Sequence, residues 1–351
     1  GFGGATAARY LRRYQPDVKI TLVEPARRFY TCPFSNLYLA GLKEWESLGH
    51  GFDGLRKLGI EVIHASAEQV DATAKTVKLS NGATLRWDKL VLSPGVDMQW
   101  NKLQGYDEAA AELAPHAWKA GPQTQLLKRQ LAAMKDGGTF VMTIPENPFR
   151  CPPGPYERAA MVAHYFKQHK PKSKILLLDA KTAFSKQALF MQGWKALYGD
   201  MIEWVGQADD GEVVRVDARK RQVETAFGQI HQADVLNVIP PQKAGFIAER
   251  AGVTNGSGWV PVNGATFESS QVRDVFVVGD ATIAAPMPKS GFAANTQGKL
   301  VAAVISAQLR GQALPQASFA NTCYSLIGTV YGISVAGVYK AEGNKVIELQ
   351  D

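Results

Sequence analysis

The sequence has few cysteines and lacks the common metal and haem motifs. Only three cysteines occur in 351 residues, and an odd number leaves at least one of them outside any intrachain disulfide. None lies in a CxxC motif, so we expect neither a zinc site nor a thioredoxin-type centre, and we predict no metal site. The absence of CxxCH predicts that the chain carries no c-type haem of its own.

Long apolar runs and clustered positive charge are also missing. No uninterrupted apolar stretch reaches the roughly 20 residues of a membrane-spanning helix, so no integral membrane segment is predicted. The formal net charge is +7, but the lysines and arginines are scattered and form no binding arm. The aromatic residues do not alternate with basic ones as on an RNA-binding sheet. Nucleic acid is therefore not an expected partner.

The chain is long enough for several hydrophobic cores, since 46% of its 351 residues are hydrophobic. Its predicted strands and helices alternate, which favours parallel sheets and an α/β fold. We predict two Rossmann-like dinucleotide-binding domains. The first, formed by residues 1–104 and 242–313, is split by the second, an inserted NAD-domain-like unit at residues 105–241. Residues 314–351 are predicted to form a small C-terminal β-containing region.

The N-terminal glycines indicate where the first domain binds its dinucleotide. Gly1, Gly3 and Gly4 precede a predicted helix and match the second half of a GxGxxG loop, with Gly1 and Gly4 as its second and third glycines. The third glycine lets the helix pack closely on the sheet, and the helix N-terminus binds a pyrophosphate. We expect the first glycine and its strand to lie ahead of Gly1. Glu24 ends the predicted strand 18–24 at the position of a ribose-binding acid, although an ordinary surface glutamate is the alternative.

Two further strand ends complete the predicted FAD site. One strand runs into Pro94 and Gly95, and the apolar strand 275–278 runs into Gly279 and Asp280. We expect these residues to line the flavin, with the Asp280 carboxylate bonded to the ribityl chain. A turn or helix-capping aspartate is the common alternative. The order of these motifs is that of flavoproteins with two dinucleotide-binding domains.

The inserted domain lacks a second glycine-rich loop. The predicted strand 139–144 continues into a proline-rich loop that contains Cys151 and Gly154. Proline has no backbone N–H, the group that binds phosphate in such loops. We therefore expect that NAD does not bind there.

Four segments resemble the flavoprotein subunit of flavocytochrome c sulfide dehydrogenase, a family in the sulfide:quinone oxidoreductase branch of the disulfide-reductase-like flavoproteins. The segments extend over nearly the whole chain: Tyr30-Thr31-Cys32 with Ser35-Asn36, Arg150 to Glu157, Pro286 to Gly291, and Asn321 to Ser325. The family has a longer C-terminal segment, so we expect the region 314–351 to be incomplete.

The resemblance implies roles for the three cysteines. Cys32 matches the cysteine that is joined through sulfur to the 8α position of FAD. Cys151 and Cys323 match a redox-active disulfide over the flavin, which hydrosulfide attacks before two electrons pass to FAD. Without this context, a small buried hydrophobic side chain would be the ordinary interpretation of an isolated cysteine.

Two charged residues have two interpretations each. Glu157, six residues past Cys151 and at a helix start, could act as a base near the disulfide or stabilise the first helical turn through the helix dipole. Lys289 could place positive charge near the flavin, or it could be a solvated surface lysine.

The resemblance also implies partners and a location. Sulfide is the expected substrate, oxidised to sulfur or polysulfide. A separate c-type cytochrome subunit is expected to carry the haem in a heterodimer. A periplasmic location is expected because an oxidising compartment preserves a disulfide. The first alternative is a sulfide:quinone oxidoreductase that reduces membrane quinone. The second is a non-enzymatic flavin-binding or assembly protein, against which the paired cysteines argue.

Overall fold

The computed structural model describes residues 1–349, apart from the side chain of Asn101. The α-helices in this part of the chain are α1 (Phe2–Tyr14), α2 (Ser35–Leu39), α3 (Asp53–Arg56), α4 (Glu108–Ala111), α5 (Pro122–Ala133), α6 (Gly154–His169), α7 (Gln187–Tyr198), α8 (Phe246–Arg250) and α9 (Gly291–Arg310). Across residues 1–349, no helix has both the length and the apolar character needed to cross a membrane.

The strands are short in the first domain and longer in the inserted and C-terminal parts. They are β1 (Thr21–Val23), β2 (Phe29–Tyr30), β3 (Gly49–His50), β4 (Glu61–Ile63), β5 (Ala67–Asp71), β6 (Thr76–Leu79), β7 (Thr84–Arg86), β8 (Leu90–Leu92), β9 (Val96–Met98), β10 (Thr139–Ile144), β11 (Lys174–Asp179), β12 (Ile202–Val205), β13 (Val213–Asp217), β14 (Gln222–Thr225), β15 (Ile230–Gln232), β16 (Val235–Val238), β17 (Gln242–Ala244), β18 (Val260–Pro261), β19 (Val275–Val277), β20 (Thr282–Ile283), β21 (Ser318–Gly328), β22 (Tyr331–Glu342) and β23 (Lys345–Glu348).

A four-stranded parallel sheet forms the centre of the inserted domain, in the order β12-β11-β10-β16. Strands β10 and β11 have the bounds that the sequence predicts. Both strands are largely apolar because helices cover the faces of parallel sheets. The sequence patterns did not indicate α7, which packs Phe190 and Trp194 into the core shared with this sheet.

The first domain is assembled from both ends of the chain. Strand β8 pairs in parallel with β19, and β9 pairs with β17 where the chain leaves and re-enters the domain. Helix α9 approaches α1 so closely that a Cβ atom at Gly298 would lie 2.5 Å from the carbonyl oxygen of Gly3. Glycine is needed for this approach. The bounds 1–104, 105–241, 242–313 and 314–351 themselves remain predictions.

The C-terminal region is a three-stranded antiparallel sheet of β21, β22 and β23. Ile327 of β21 is fully buried in the core cluster that contains Tyr156 and Phe166 of α6. This packing fixes β21, and with it Cys323, against the inserted domain. Residues 350 and 351 of the predicted region lie outside the described residues.

Several element ends differ from the predictions for local reasons. Helix α1 begins at Phe2, earlier than the predicted Ala5, and the predicted strand 18–24 is restricted to β1. Helix α9 begins at Gly291 and not at Asn295, because the Ser290 hydroxyl caps it by accepting the Ala293 N–H. Strand β5 joins the predicted hairpin of β6 and β7 in a three-stranded sheet.

Candidate active site

The N-terminus of α1 meets the carboxyl end of β1. Gly1 is the N-cap of α1, and its backbone nitrogen lies 3.8 Å from Oε2 of Glu24. The other oxygen of Glu24 accepts the backbone N–H of Ala26, which orients the carboxylate in the turn after β1. A helix N-terminus next to such a carboxylate fits the pyrophosphate and ribose of a dinucleotide.

The glycines of α1 allow close packing on the sheet. A Cβ atom at Gly3 would lie 2.6 Å from Cγ2 of Val278, whereas one at Gly4 would lie 3.2 Å from Cβ of Ser93. The sequence motif assigned the closest packing to Gly4. The structure corrects this assignment to Gly3, since α1 starts at Phe2 and directs Gly3 toward Val278.

Pro94 and Gly95 form the turn that follows β8. Gly95 has a φ of +64°, a conformation that favours glycine. Its carbonyl oxygen accepts the Gly245 N–H at 2.9 Å. A Cβ atom at Gly245 would lie 2.6 Å from the Pro94 carbonyl oxygen. The turn is therefore held in place by the residue before α8, and its role in flavin binding remains a prediction.

Asp280 follows β19 through Gly279, whose φ is +81° and whose N–H is bonded to Gln297 of α9. The Asp280 side chain is 13% exposed, and its Oδ2 lies 3.9 Å from Nε of Arg150. Its buried Oδ1 has no hydrogen-bond partner within residues 1–349. Burial raises the pKa of Asp280, and the positive charges of Arg150 and Lys289 oppose that rise.

These features fit FAD. The α1 N-terminus and Glu24 are placed for the adenosine and pyrophosphate part. The partnerless Asp280 oxygen needs a hydrogen-bond donor, because buried polar atoms are almost always paired. A ribityl hydroxyl group is such a donor.

Lys289 is a partly buried link between Asp280 and Cys151. Its Nζ donates to the carbonyl oxygens of Asp280 and Thr282, both at 2.7 Å, and lies 3.8 Å from the centre of the Trp259 ring. Its own carbonyl oxygen accepts the Cys151 N–H at 2.8 Å. Burial lowers the pKa of Lys289 to about 8, against the opposing charge of Asp280. The solvated-lysine interpretation is therefore wrong.

The three cysteines converge from three separate segments. Cys32 follows β2, Cys151 precedes α6, and Cys323 lies on β21. Burial is the main cause that raises the pKa of Cys151, and negative charge on Glu157, Cys323 and Cys32 adds to it. Cys32 and Cys323 thus both lie near enough to Cys151 to influence its charge. All three are partly exposed free thiols in this structure, so the disulfide remains a prediction.

Cys151 has an unusual backbone conformation. Its φ is +57°, and its carbonyl oxygen accepts the Gly154 N–H at 2.8 Å. A Cβ atom at Gly154 would lie 2.9 Å from both Sγ of Cys151 and Cη2 of Trp118. Gly154 therefore leaves the space that the thiol occupies. Left-handed conformations of residues other than glycine concentrate at functional sites.

Glu157 lies in the first turn of α6 and bonds to the other two cysteine segments. Its Oε2 accepts Nδ2 of Asn36 at 2.8 Å, and its Oε1 accepts the Leu326 N–H at 2.9 Å. Burial raises the pKa of Glu157, while these two hydrogen bonds oppose the rise. The structure therefore brings the carboxylate to the cysteines. The base and helix-dipole interpretations both remain open.

Sequence reasoning missed Arg158, the next residue of α6. The Arg158 side chain is buried, with only 2% of the residue exposed. A signal was present in the sequence: Arg158 lies three residues after Pro155 and four before Val162, on the face of α6 whose other members are apolar.

Three parts of the chain match known protein families. Residues 124–240 match the description "Sulfide dehydrogenase (flavocytochrome c) flavoprotein chain, central" and residues 315–351 match "Flavocytochrome c sulphide dehydrogenase, flavin-binding". Residues 1–133 match "Pyridine nucleotide-disulphide oxidoreductase". The sulfide dehydrogenase flavoprotein chain of Chlorobaculum thiosulfatiphilum is 61% identical over 36 residues, which are 10% of this chain and 75% of that sequence.

The chain belongs to the flavocytochrome c sulfide dehydrogenase flavoproteins. This family consists of sulfide-oxidising, FAD-dependent oxidoreductases, so the predicted family and enzyme class are confirmed.

Sulfide:quinone oxidoreductases are more distant relatives. The Aquifex aeolicus (strain VF5) sulfide-quinone reductase is 26% identical over 307 residues, covering 83% of this chain and 68% of that protein. The crystal structure of the Aquifex aeolicus sulfide:quinone oxidoreductase superposes with a TM-score of 0.77 at 22% identity, over 99% of this chain and 85% of that one. The match confirms the predicted fold class.

Proposed function

We propose that this flavoprotein oxidises sulfide through a Cys151–Cys323 disulfide and through FAD joined to Cys32, and that it passes the electrons to a c-type cytochrome subunit. The observation that carries the proposal is the convergence of these cysteines around Glu157. Cys151 and Cys323 are remote in sequence, yet Glu157 is bonded to the backbone three residues beyond Cys323.

The sulfur chemistry follows thiol–disulfide exchange. Hydrosulfide attacks one sulfur of the disulfide, the S–S bond breaks, and the products are a cysteine persulfide and a cysteine thiolate. Re-formation of the Cys151–Cys323 bond then frees the added sulfur and releases one proton and two electrons. FAD, when bound, accepts these two electrons and gives them up singly.

Glu157 supplies the proton acceptor. Hydrogen sulfide reacts as its conjugate base, so a carboxylate beside the disulfide promotes the attack. Burial raises the pKa of Glu157, which makes its carboxylate a stronger base than an exposed glutamate. The two hydrogen bonds that it accepts hold the group in position.

Cys32 is the proposed attachment point of FAD. The residue lies in the loop after β2 and is partly exposed, and its Sγ is 3.8 Å from the carbonyl oxygen of Trp118. The family resemblance supports a bond from this sulfur to the 8α position of the flavin. Such a bond would account for the odd cysteine, since the disulfide uses the other two.

The cytochrome is the proposed acceptor because the chain has no CxxCH motif and its central and C-terminal parts match the flavocytochrome family. The complex is proposed to be a periplasmic heterodimer. Reduction of membrane quinone is the alternative, supported by the Aquifex aeolicus relative named sulfide-quinone reductase.

Gel filtration of the native protein at high ionic strength separates these acceptors. A permanent complex should bury more than roughly 1,200 Å² in total and resist salt, unlike a transient electrostatic encounter. The proposal requires flavin and haem absorbance in one peak. Haem in a separate peak would contradict a stable subunit, and a flavin peak from which haem is absent would favour quinone.

A further inference from the structure

Arg158 carries a buried positive charge beside the cysteine site. Four of its N–H groups are bonded: Nε to Oδ1 of Asn36 at 3.1 Å, Nη1 to Asn237 Oδ1 at 2.9 Å and to the His116 carbonyl at 3.1 Å, and Nη2 to the Ala117 carbonyl at 2.6 Å. All four acceptors are neutral. Within residues 1–349, Arg158 forms no direct ion pair with a carboxylate.

Burying a guanidinium without a paired anion costs free energy. Negative charge that develops nearby reduces this cost and is itself stabilised. The guanidinium carbon lies 4.8 Å from the centre of the Trp118 ring. The edge of that ring and Sγ of Cys151 both border Gly154. The Trp118 ring therefore contacts Arg158 on one side and borders the space occupied by the Cys151 thiol with its edge.

Asn36 links Arg158 to Glu157. Its Oδ1 accepts from Arg158, which fixes the orientation of the amide so that Nδ2 donates to Glu157 at 2.8 Å. Rotation of the amide would place its oxygen against the carboxylate. Arg158 thus determines one of the two hydrogen bonds that hold Glu157.

We propose that Arg158 is a positioning residue of the cysteine site, which orients Glu157 through Asn36 and stabilises the thiolate of Cys151 in the reduced protein. A role of Arg158 in catalysis rests on the proposed function. Besides Arg158, the charged and titratable groups around Cys151 are Glu157 on α6, Cys323 on β21, Cys32 after β2, and Arg150, Asp280 and Lys289 in the adjoining loops.

Alkylation of Cys151 tests the inference without sulfide or an electron acceptor. The FAD-containing protein is reduced with dithiothreitol and treated with iodoacetamide from about pH 6 to about pH 9, and peptide mass spectrometry gives the rate at Cys151. We expect Arg158→Gln to slow this reaction about tenfold at a given pH, since a lost nearby cation lowers the thiolate fraction. Arg158→Lys should restore most of the rate.

Two further variants complete the test. Arg12→Gln removes an arginine of α1 that also bonds to backbone carbonyls, at Val18 and Gly59, and should leave the rate unchanged. Asn36→Asp keeps Arg158 but places a carboxylate against its guanidinium, which offsets the positive charge. This variant should slow alkylation even if Arg158→Gln does not fold.

Three results would overturn the inference: a wild-type rate in folded Arg158→Gln, equal slowing by the lysine and glutamine variants, or a wild-type rate in Asn36→Asp. Slower alkylation in a protein that fails to oxidise sulfide would support the inference and contradict the proposed function.

Discussion

Glu157 accepts a hydrogen bond at 2.9 Å from the backbone N–H of Leu326, three residues beyond Cys323 on β21. Its other carboxylate oxygen accepts Nδ2 of Asn36, four residues beyond Cys32. Glu157 itself follows Cys151 by six residues. One partly buried carboxylate therefore joins the three segments that carry the cysteines, and its loss should affect chemistry more than fold.

Glu157→Gln should lower kcat/KM for sulfide by about two to four orders of magnitude, the usual contribution of a positioned acid or base. In the wild-type protein, burial raises the pKa of Glu157, so its carboxylate is lost to protonation at a higher pH than an exposed glutamate. Activity should therefore fall as pH decreases through that pKa, and the variant should lack this dependence.

The matched control is Glu146→Gln, which changes an exposed carboxylate in the loop between β10 and α6. It should retain the wild-type pH profile. Flavin content is measured in both variants. If Glu157→Gln keeps the wild-type pH profile, Glu157 is not a base and only stabilises the first turn of α6 through the helix dipole.

FAD attachment is tested at Cys32. Acid-precipitated wild-type protein should keep its flavin colour in the pellet, and Cys32→Ala should release the flavin into the supernatant. Cys323→Ser serves as the control, because it removes a thiol near the site but not the attachment point. Release of flavin from the wild-type protein would exclude the covalent bond and strengthen the quinone alternative.

The resting protein should contain the Cys151–Cys323 bond. A non-reducing peptide map should show one linked peptide pair that disappears on reduction, and the Cys32 peptide should carry flavin. A bond across so long a loop would add only a few kcal/mol to stability, about 4.7 for ~100 residues in the chain-entropy description. Function is thus the stronger reason for the bond. A linked pair that includes Cys32 would contradict the assignment.

NADH should not reduce the flavin. Asp179 ends β11, where a dinucleotide-binding domain carries its ribose-binding acid. Its carboxylate is instead bonded to the Tyr156 hydroxyl at 2.6 Å, the Trp204 Nε1 at 2.9 Å and the Lys181 Nζ at 2.6 Å. Stoichiometric NADH added without oxygen should leave the flavin absorbance unchanged. Rapid bleaching would refute the claim, and dithionite serves as the positive control.

The sequence predicted features that are local or carried by continuous patterns. Strands β10 and β11 were found at their observed bounds because apolar residues predominate in both and form a short run bounded by polar or turn residues. The start of α9 was missed because the capping residue, Ser290, lies in a proline-rich stretch that resembles a loop.

Long-range contacts of the site could not be read from the sequence. Arg158 is identified as a site residue only by acceptors from α2, β16 and the segment before α5, which are remote in sequence. For the same reason, no sequence motif indicates that the backbone N–H of Leu326 donates to Glu157. By contrast, Cys151 and Cys323 were found through the family resemblance, because related proteins carry a cysteine pair at these positions.

Anaerobic addition of sulfide tests the central claim most directly. One equivalent of sulfide per flavin should bleach the visible flavin absorbance of the wild-type protein, because the cysteine pair delivers two electrons to FAD. Cys323→Ser, with its FAD still bound, should remain unbleached at the same sulfide concentration. Bleaching of that variant at the wild-type rate, or a wild-type flavin that sulfide leaves oxidised, would contradict sulfide oxidation through the Cys151–Cys323 pair.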